Sequence, residues 1–77
     1  MNILITDVVG KRIEFCREQR NISRQELADL MGVTRQTVYR WEQGERLPDI
    51  LAFLKITRIL GVGIEDILSI PSPASSS

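Results

Sequence analysis

The sequence predicts an all-α fold of five short helices around one small core, and three observations predict it. Residues 24–43, RQELADLMGVTRQTVYRWEQ, contain two amphipathic segments, with Leu27, Ala28 and Met31 at helical spacing in the first and Val38 and Trp41 in the second. Between them stand Gly32, Val33 and Thr34. Glycine reaches positive φ without steric cost and can turn the chain, and threonine two positions on can cap the next helix. Downstream, Asp49 and the Gly61-Val62-Gly63 turn bracket further apolar segments of helical length. Two short helices joined by so tight a turn describe a helix-turn-helix, here helices 2 and 3 of the five.

Each element has its local reasons. Residues 1–7 form an apolar arm whose Ile3, Leu4 and Ile5 are β-prone but too few to fold alone. Thr6 or Asp7 is placed to cap a first helix that runs to about Arg20, with Val9, Ile13 and Cys16 as its inner stripe. Val8 and Phe15 make a second apolar line on that helix, and an exposed Phe is a common sign of an interface. Asn21 tolerates the left-handed cap that ends it. Ser23-Arg24-Gln25-Glu26 is a capping box for the second helix, on which Leu30 is expected at the surface. The third helix occupies residues 34–43 and closes at Gly44. Asp49 caps a fourth helix to about Leu60, with apolar positions Ile50, Phe53, Leu54, Ile56 and Leu60. Lys55 and Arg58 lie on its outer side, and Leu51 and Ile59 are surplus to one core. Ile64 to Leu68 is a short fifth helix, and residues 69–77, rich in Pro and Ser, read as a disordered tail. The expected shared core is Val9, Ile13, Leu27, Ala28, Met31, Val38, Trp41, Leu54 and Leu60.

What the third helix leaves outside is the informative part. At about 100° per residue, Arg35, Gln36, Tyr39 and Arg40 share one arc, opposite Val38 and Trp41, with Glu42 on the inward side. The arc carries two guanidiniums, a carboxamide and a phenol, and no carboxylate. Arginine can pair bidentately with guanine and glutamine with adenine, so such a face suits the major groove of DNA. The bland alternative is a solvated helix face in a small bundle; the turn and the cap favour the groove-reading one.

Composition narrows the field. Seventy-seven residues permit one domain with a small core. No apolar run is long enough to span a bilayer, which leads to the expectation of a soluble, cytoplasmic protein. A single cysteine, Cys16, suits a reducing compartment and most simply fills a core slot. With no histidine, neither a Cys/His metal cluster nor a Ser-His pair can form, so no enzyme activity and no cofactor is expected. The formal net charge of +0 argues against a generic polyanion binder. Residues 11–40 nevertheless carry seven cations (Lys11, Arg12, Arg17, Arg20, Arg24, Arg35, Arg40) against four acids (Glu14, Glu18, Glu26, Asp29). Weak nonspecific binding, with shape and base contacts supplying the selectivity, follows from that balance.

Residues 8–68, through SRQELADLMGVTRQTVYRWEQGERLPD and LGVGIEDIL, resemble the Cro and phage-repressor (XRE-type) helix-turn-helix domains. The resemblance implies a compact lambda-repressor-like domain that regulates transcription by binding double-stranded DNA, usually as a homodimer on symmetric operators, in a bacterial or phage setting. It assigns base contacts to Arg35, Gln36 and Arg40, and phosphate contacts to Arg24 and Arg46. Thr37 and Tyr39, at the edges of the arc, are expected on phosphates or methyl groups. Arg24 replaces the usual glutamine, keeping a donor and adding charge, whereas Glu45 beside Arg46 is an unhelpful neighbour for a phosphate grip. Arg17 and Glu42 match an ion pair that ties the first and third helices together and takes no part in DNA contact. Phe15, Leu51, Ile59 and the arm are the residues left for a dimer surface. Those same residues and the neutral charge support a second reading, a protein-interaction module or antitoxin-like regulator that binds a partner protein.

Overall fold

A computed structural model describes residues 5–68, in the order α1 (Ile5–Gln19), α2 (Arg24–Met31), α3 (Arg35–Glu42), α4 (Ile50–Leu60) and α5 (Ile64–Leu68), with no strand among the described residues. The expectations for the start of the arm, residues 1–4, and for the tail, residues 69–77, lie outside that range. The remainder of the expected arm is helical: α1 begins at Ile5, so Thr6 and Asp7 lie in its first turn instead of capping it. Asp7 there still faces the positive end of the helix dipole.

Local chemistry starts and stops the inner helices. Ser23 Oγ accepts from Glu26 N at 3.0 Å while Glu26 Oε1 accepts from Ser23 N at 2.8 Å, closing a reciprocal cap on α2. Thr34 Oγ1 accepts from Thr37 N at 3.2 Å at the head of α3, and Asp49 Oδ1 accepts from Ala52 N at 2.8 Å at the head of α4. Caps of this kind are worth about 1 kcal/mol each. The helices also end alike. Ile22 N donates to Arg17 O, Val33 N to Ala28 O and Glu45 N to Arg40 O, each a six-to-one closure that needs a left-handed residue between. Asn21 (φ 57°) and Gly32 (φ 74°) supply it at the first two ends.

The packing is α1 against α3 and α5, and α2 against α3 and α4. Their shared core is Val9, Ile13 and Cys16 from α1, Leu27, Ala28 and Met31 from α2, Val38 and Trp41 from α3, Phe53, Ile56 and Leu60 from α4, and Ile67 from α5. Burying one such aliphatic side chain fully contributes about 1.5–3 kcal/mol, and Ile13, Leu27, Ile56, Leu60, Ile67, Val9 and Val38 are all fully buried. Leu54 is not in this core: it is 48 % exposed, and Phe53 and Ile56 take the inward side of α4. Ile50 at the head of α4 is likewise exposed. Lys55 and Arg58 mark the outer side of α4, and Leu51 and Leu54 lie on that side with them. Of the two surplus residues, Leu51 is exposed, whereas Ile59 is half-buried against the core.

One backbone contact sets how close α1 and α3 come. Gly10, buried on α1, lies against the last turn of α3, where a Cβ would meet the carbonyl oxygen of Trp41 and sit 2.6 Å from that of Glu42. A side chain cannot swing away from a backbone carbonyl, so Gly10→Ala forces the helices apart. We expect it to destabilise the domain by about 3 kcal/mol or more, the upper range for overpacking. Gly32→Ala meets nothing within 4 Å and should cost only the left-handed backbone penalty, roughly 1–2 kcal/mol. Denaturant melts of both variants check the contrast; equal losses would mean that α1 and α3 are not in backbone contact at Gly10.

Candidate nucleic-acid interface

The third helix presents its outer arc as a continuous surface. Arg35, Gln36, Tyr39 and Arg40 are all exposed, while Val38, Trp41 and Glu42 face inward. Thr34 caps the helix with its backbone extended (φ −82°, ψ 155°), which brings the chain in from α2 and leaves Arg35 and Gln36 in the first turn. Thr37, half-buried between arc and core, shares a hydroxyl hydrogen bond of 2.9 Å with Thr34.

A cleft lies on either side of α3. One, of about 250 Å³, is lined by Arg24, Arg35, Gln36 and Tyr39, and so joins the head of α2 to the head of α3. The other, of about 390 Å³, lies between α3 and the loop leading to α4, and draws on Thr37, Arg40, Arg46 and Asp49 over an apolar floor that includes Trp41. The sequence-derived contact residues are thus gathered on one face, with Arg24 and Arg46 at its two flanks. Each flank carries two guanidiniums, the group best matched to phosphate oxygens.

Behind this face, buried charge fixes the helix. Arg17 Nε donates to Glu42 Oε2 at 2.7 Å and Arg17 Nη2 to Glu42 Oε1 at 3.2 Å, with the Glu42 side chain wholly buried. Arg17 Nη1 donates to Ile22 O at 2.8 Å, so the same guanidinium also holds the turn between α1 and α2. Sequence reasoning missed the next partner. Arg24 Nε donates to Glu42 Oε1 at 2.7 Å, and Arg24 Nη2 to Glu14 Oε2 at 3.1 Å. The Arg24 guanidinium lies 5.4 Å from the Tyr39 ring centroid, within cation–π range. The Glu42 hydrogen bond, reinforced by the Glu42 and Glu14 charges and only partly offset by burial, raises the Arg24 pKa above its ordinary value. A sequence signal for this was available only in outline: Glu14 lies one turn before Arg17 on α1. Among the described residues every buried side-chain nitrogen and oxygen has a hydrogen-bond partner.

A tight turn, a recognition-type helix with a polar basic outer arc, and an arginine–glutamate lock behind it define a helix-turn-helix domain. Comparison with known proteins agrees: the model of the Helix-turn-helix family matches residues 13–67, and this chain belongs to that family. It is similar to the SPbeta prophage-derived HTH-type transcriptional regulator YonR of Bacillus subtilis, 37 % identical over 59 residues, covering 77 % of this chain and 55 % of that protein. It is also similar to the HTH-type transcriptional regulator MJ0272 of Methanocaldococcus jannaschii, 36 % identical over 56 residues, covering 73 % of this chain and 85 % of that one. The chain spans about half the length of the two Bacillus subtilis relatives it matches first, 55 % and 51 %. Among solved structures, the restriction-modification controller protein C.AhdI of Aeromonas hydrophila superposes with a TM-score of 0.75 at 26 % identity, covering 80 % of this chain and 94 % of that one. The same fold is matched inside the hydroxypropylphosphonic acid epoxidase of S. wedmorenis, with a TM-score of 0.74 and 30 % identity over 80 % of this chain, though only 33 % of the enzyme.

Removing the shared carboxylate tests how much of the interface it holds. Glu42→Gln leaves two guanidiniums facing a neutral amide in a buried site, and breaking a buried ion pair on one side typically costs about 3–5 kcal/mol. The expected readout is a melting midpoint well below that of the wild-type chain. A Glu42→Gln chain as stable as wild type would show that the pair is dispensable.

Proposed function

We propose that this domain is a sequence-specific transcriptional regulator that inserts α3 into the major groove of double-stranded DNA. The observation that carries the reading is the arc itself: Arg35, Gln36 and Arg40 exposed side by side, flanked by the Arg24 and Arg46 clefts, on a helix locked from behind. In this reading Arg35, Gln36 and Arg40 address base edges, where bidentate guanidinium and carboxamide pairing discriminates bases. Arg24, Thr37, Tyr39 and Arg46 address the phosphates on either wall of the groove. The domain acts by occupancy, and chromosomal DNA as target puts its action in the cytoplasm. No helix among the described residues is long and apolar enough to cross a membrane.

The two kinds of contact respond differently to substitution. Gln36→Ala should cost about 1–3 kcal/mol on the best site and relax preference at one base pair. Arg46→Ala should weaken every sequence similarly and lower the salt slope by about one per protomer. Sites selected from a random pool, with their single-base variants measured at several salt concentrations, separate the two. If Gln36→Ala lowers affinity uniformly while Arg46→Ala changes base preference, the assignment is reversed.

A homodimer belongs to the same reading. Its support is the outer face of α4, where Ile50, Leu51 and Leu54 are 64 %, 69 % and 48 % exposed, with Phe15 half-exposed on α1 beneath Arg12. Two recognition helices would then enter successive major grooves roughly 34 Å apart. Sedimentation at micromolar concentration, with and without a selected site, is expected to give two chains per dyad-symmetric site. One chain per site on DNA without a dyad would sink the dimer, and would leave the α4 face to a partner protein of another kind.

A further inference from the structure

Among the described residues, Arg24 alone belongs both to the buried charge lock and to the cleft at the heads of α2 and α3. It gives Nε to Glu42 and one Nη2 hydrogen to Glu14, and no acceptor among the described residues takes its other hydrogens. Its side chain is 33 % exposed, and it lines the cleft with Arg35, Gln36 and Tyr39, a set with two cations and no acid. Glu14, at 35 % exposure, stands behind that cleft as its neutralising anion. Arg17 and Arg24 against Glu14 and Glu42 leave the four-residue cluster with no net charge.

Building on the DNA-binding reading above, we propose that Glu14 is a phosphate stand-in that competes with the DNA backbone for Arg24 and thereby restrains the affinity of the domain. Two effects of Glu14 oppose each other, and the geometry decides between them. As an orienting partner Glu14 is redundant, because Glu42 and the Tyr39 ring hold the same guanidinium without it. As a competitor it has no substitute: it takes a donor that a bidentate phosphate would use and cancels the charge that draws the phosphate in. A pair about one-third exposed is readily exchanged, since such pairs contribute little net stability. The buried lock survives the exchange, because Arg17 keeps both its bonds to Glu42 if Arg24 shifts outward.

The test is a cycle of Glu14→Gln and Arg24→Ala, read as affinity for a selected duplex and for an unrelated duplex at several salt concentrations. Glu14→Gln should tighten both by the same factor, about three- to tenfold at low salt, as expected when a like charge near a partly exposed phosphate is removed. The salt slope should steepen by about one, the signature of a further neutralised phosphate. In the Arg24→Ala background the same substitution should change nothing. An unchanged or weakened Glu14→Gln chain overturns the proposal and makes Glu14 a positioning residue. An equal gain without Arg24 also overturns it, since the effect would then be a general loss of negative charge. A wild-type chain that binds neither duplex sinks the DNA-binding reading itself, a result distinct from wild-type binding that Glu14→Gln leaves untouched.

Discussion

The carboxylate of Glu42 is the point on which the rest of the domain depends. It is fully buried, and it takes three hydrogen bonds from two guanidiniums carried by different helices. A charge in that position would be strongly disfavoured alone and is tolerable only because its partners converge on it. Convergence in turn dictates geometry: α1, the head of α2 and the last turn of α3 must all approach the same two oxygens. A core of branched aliphatics could be packed at several helix angles, but a forked charge network accepts few. The lock therefore specifies an orientation for α3 that apolar burial alone would leave loose.

The residues proposed to meet DNA lie on the side of α3 turned away from this network, with Arg24 and the Tyr39 ring joining the two. The inward residues Val38, Trp41 and Glu42 hold the helix, and the outward residues are free of core duty. The two clefts make the flanks of that outer surface cationic although the chain as a whole is neutral. Local charge, more than net charge, is what a groove-reading surface needs, since the phosphates it meets line the two walls of one groove.

The sequence was most legible where the determinants are local. The capping box at Ser23, the turn at Gly32, the Thr34 cap and the outward arc of α3 all act within four or five residues, and each is in place. Legibility fell where the determinant is a tertiary partner. On α4 eight of the eleven positions are apolar, and the sequence sign that Leu54 turns out while Phe53 and Ile56 turn inward is its place beside Lys55 and Arg58. Gly10 carries no hydrophobic signal at all, and its reason is a backbone 31 positions away at Trp41. In the sequence Arg24 reads as a hydrogen-bond donor to phosphate and no more, because its two acidic partners lie 10 and 18 residues distant, on two other helices. The start of α1 shows a milder form of the same limit: a polar residue near a helix start can serve as a cap or as a first-turn acid, and Asp7 is the latter.

The backbone seat at Gly10 has an evolutionary consequence. Because α3 rests on α1 through main-chain atoms and on Glu42, its angle does not depend on which side chains occupy its outer arc. Arg35, Gln36 and Arg40 can be exchanged for other residues without repacking anything beneath them. On the proposed DNA-reading role, a lineage carrying this scaffold can reach new target sequences one outer residue at a time. Gly10 and Glu42 have no such freedom, since a Cβ at the one meets the α3 backbone and the other holds two guanidiniums.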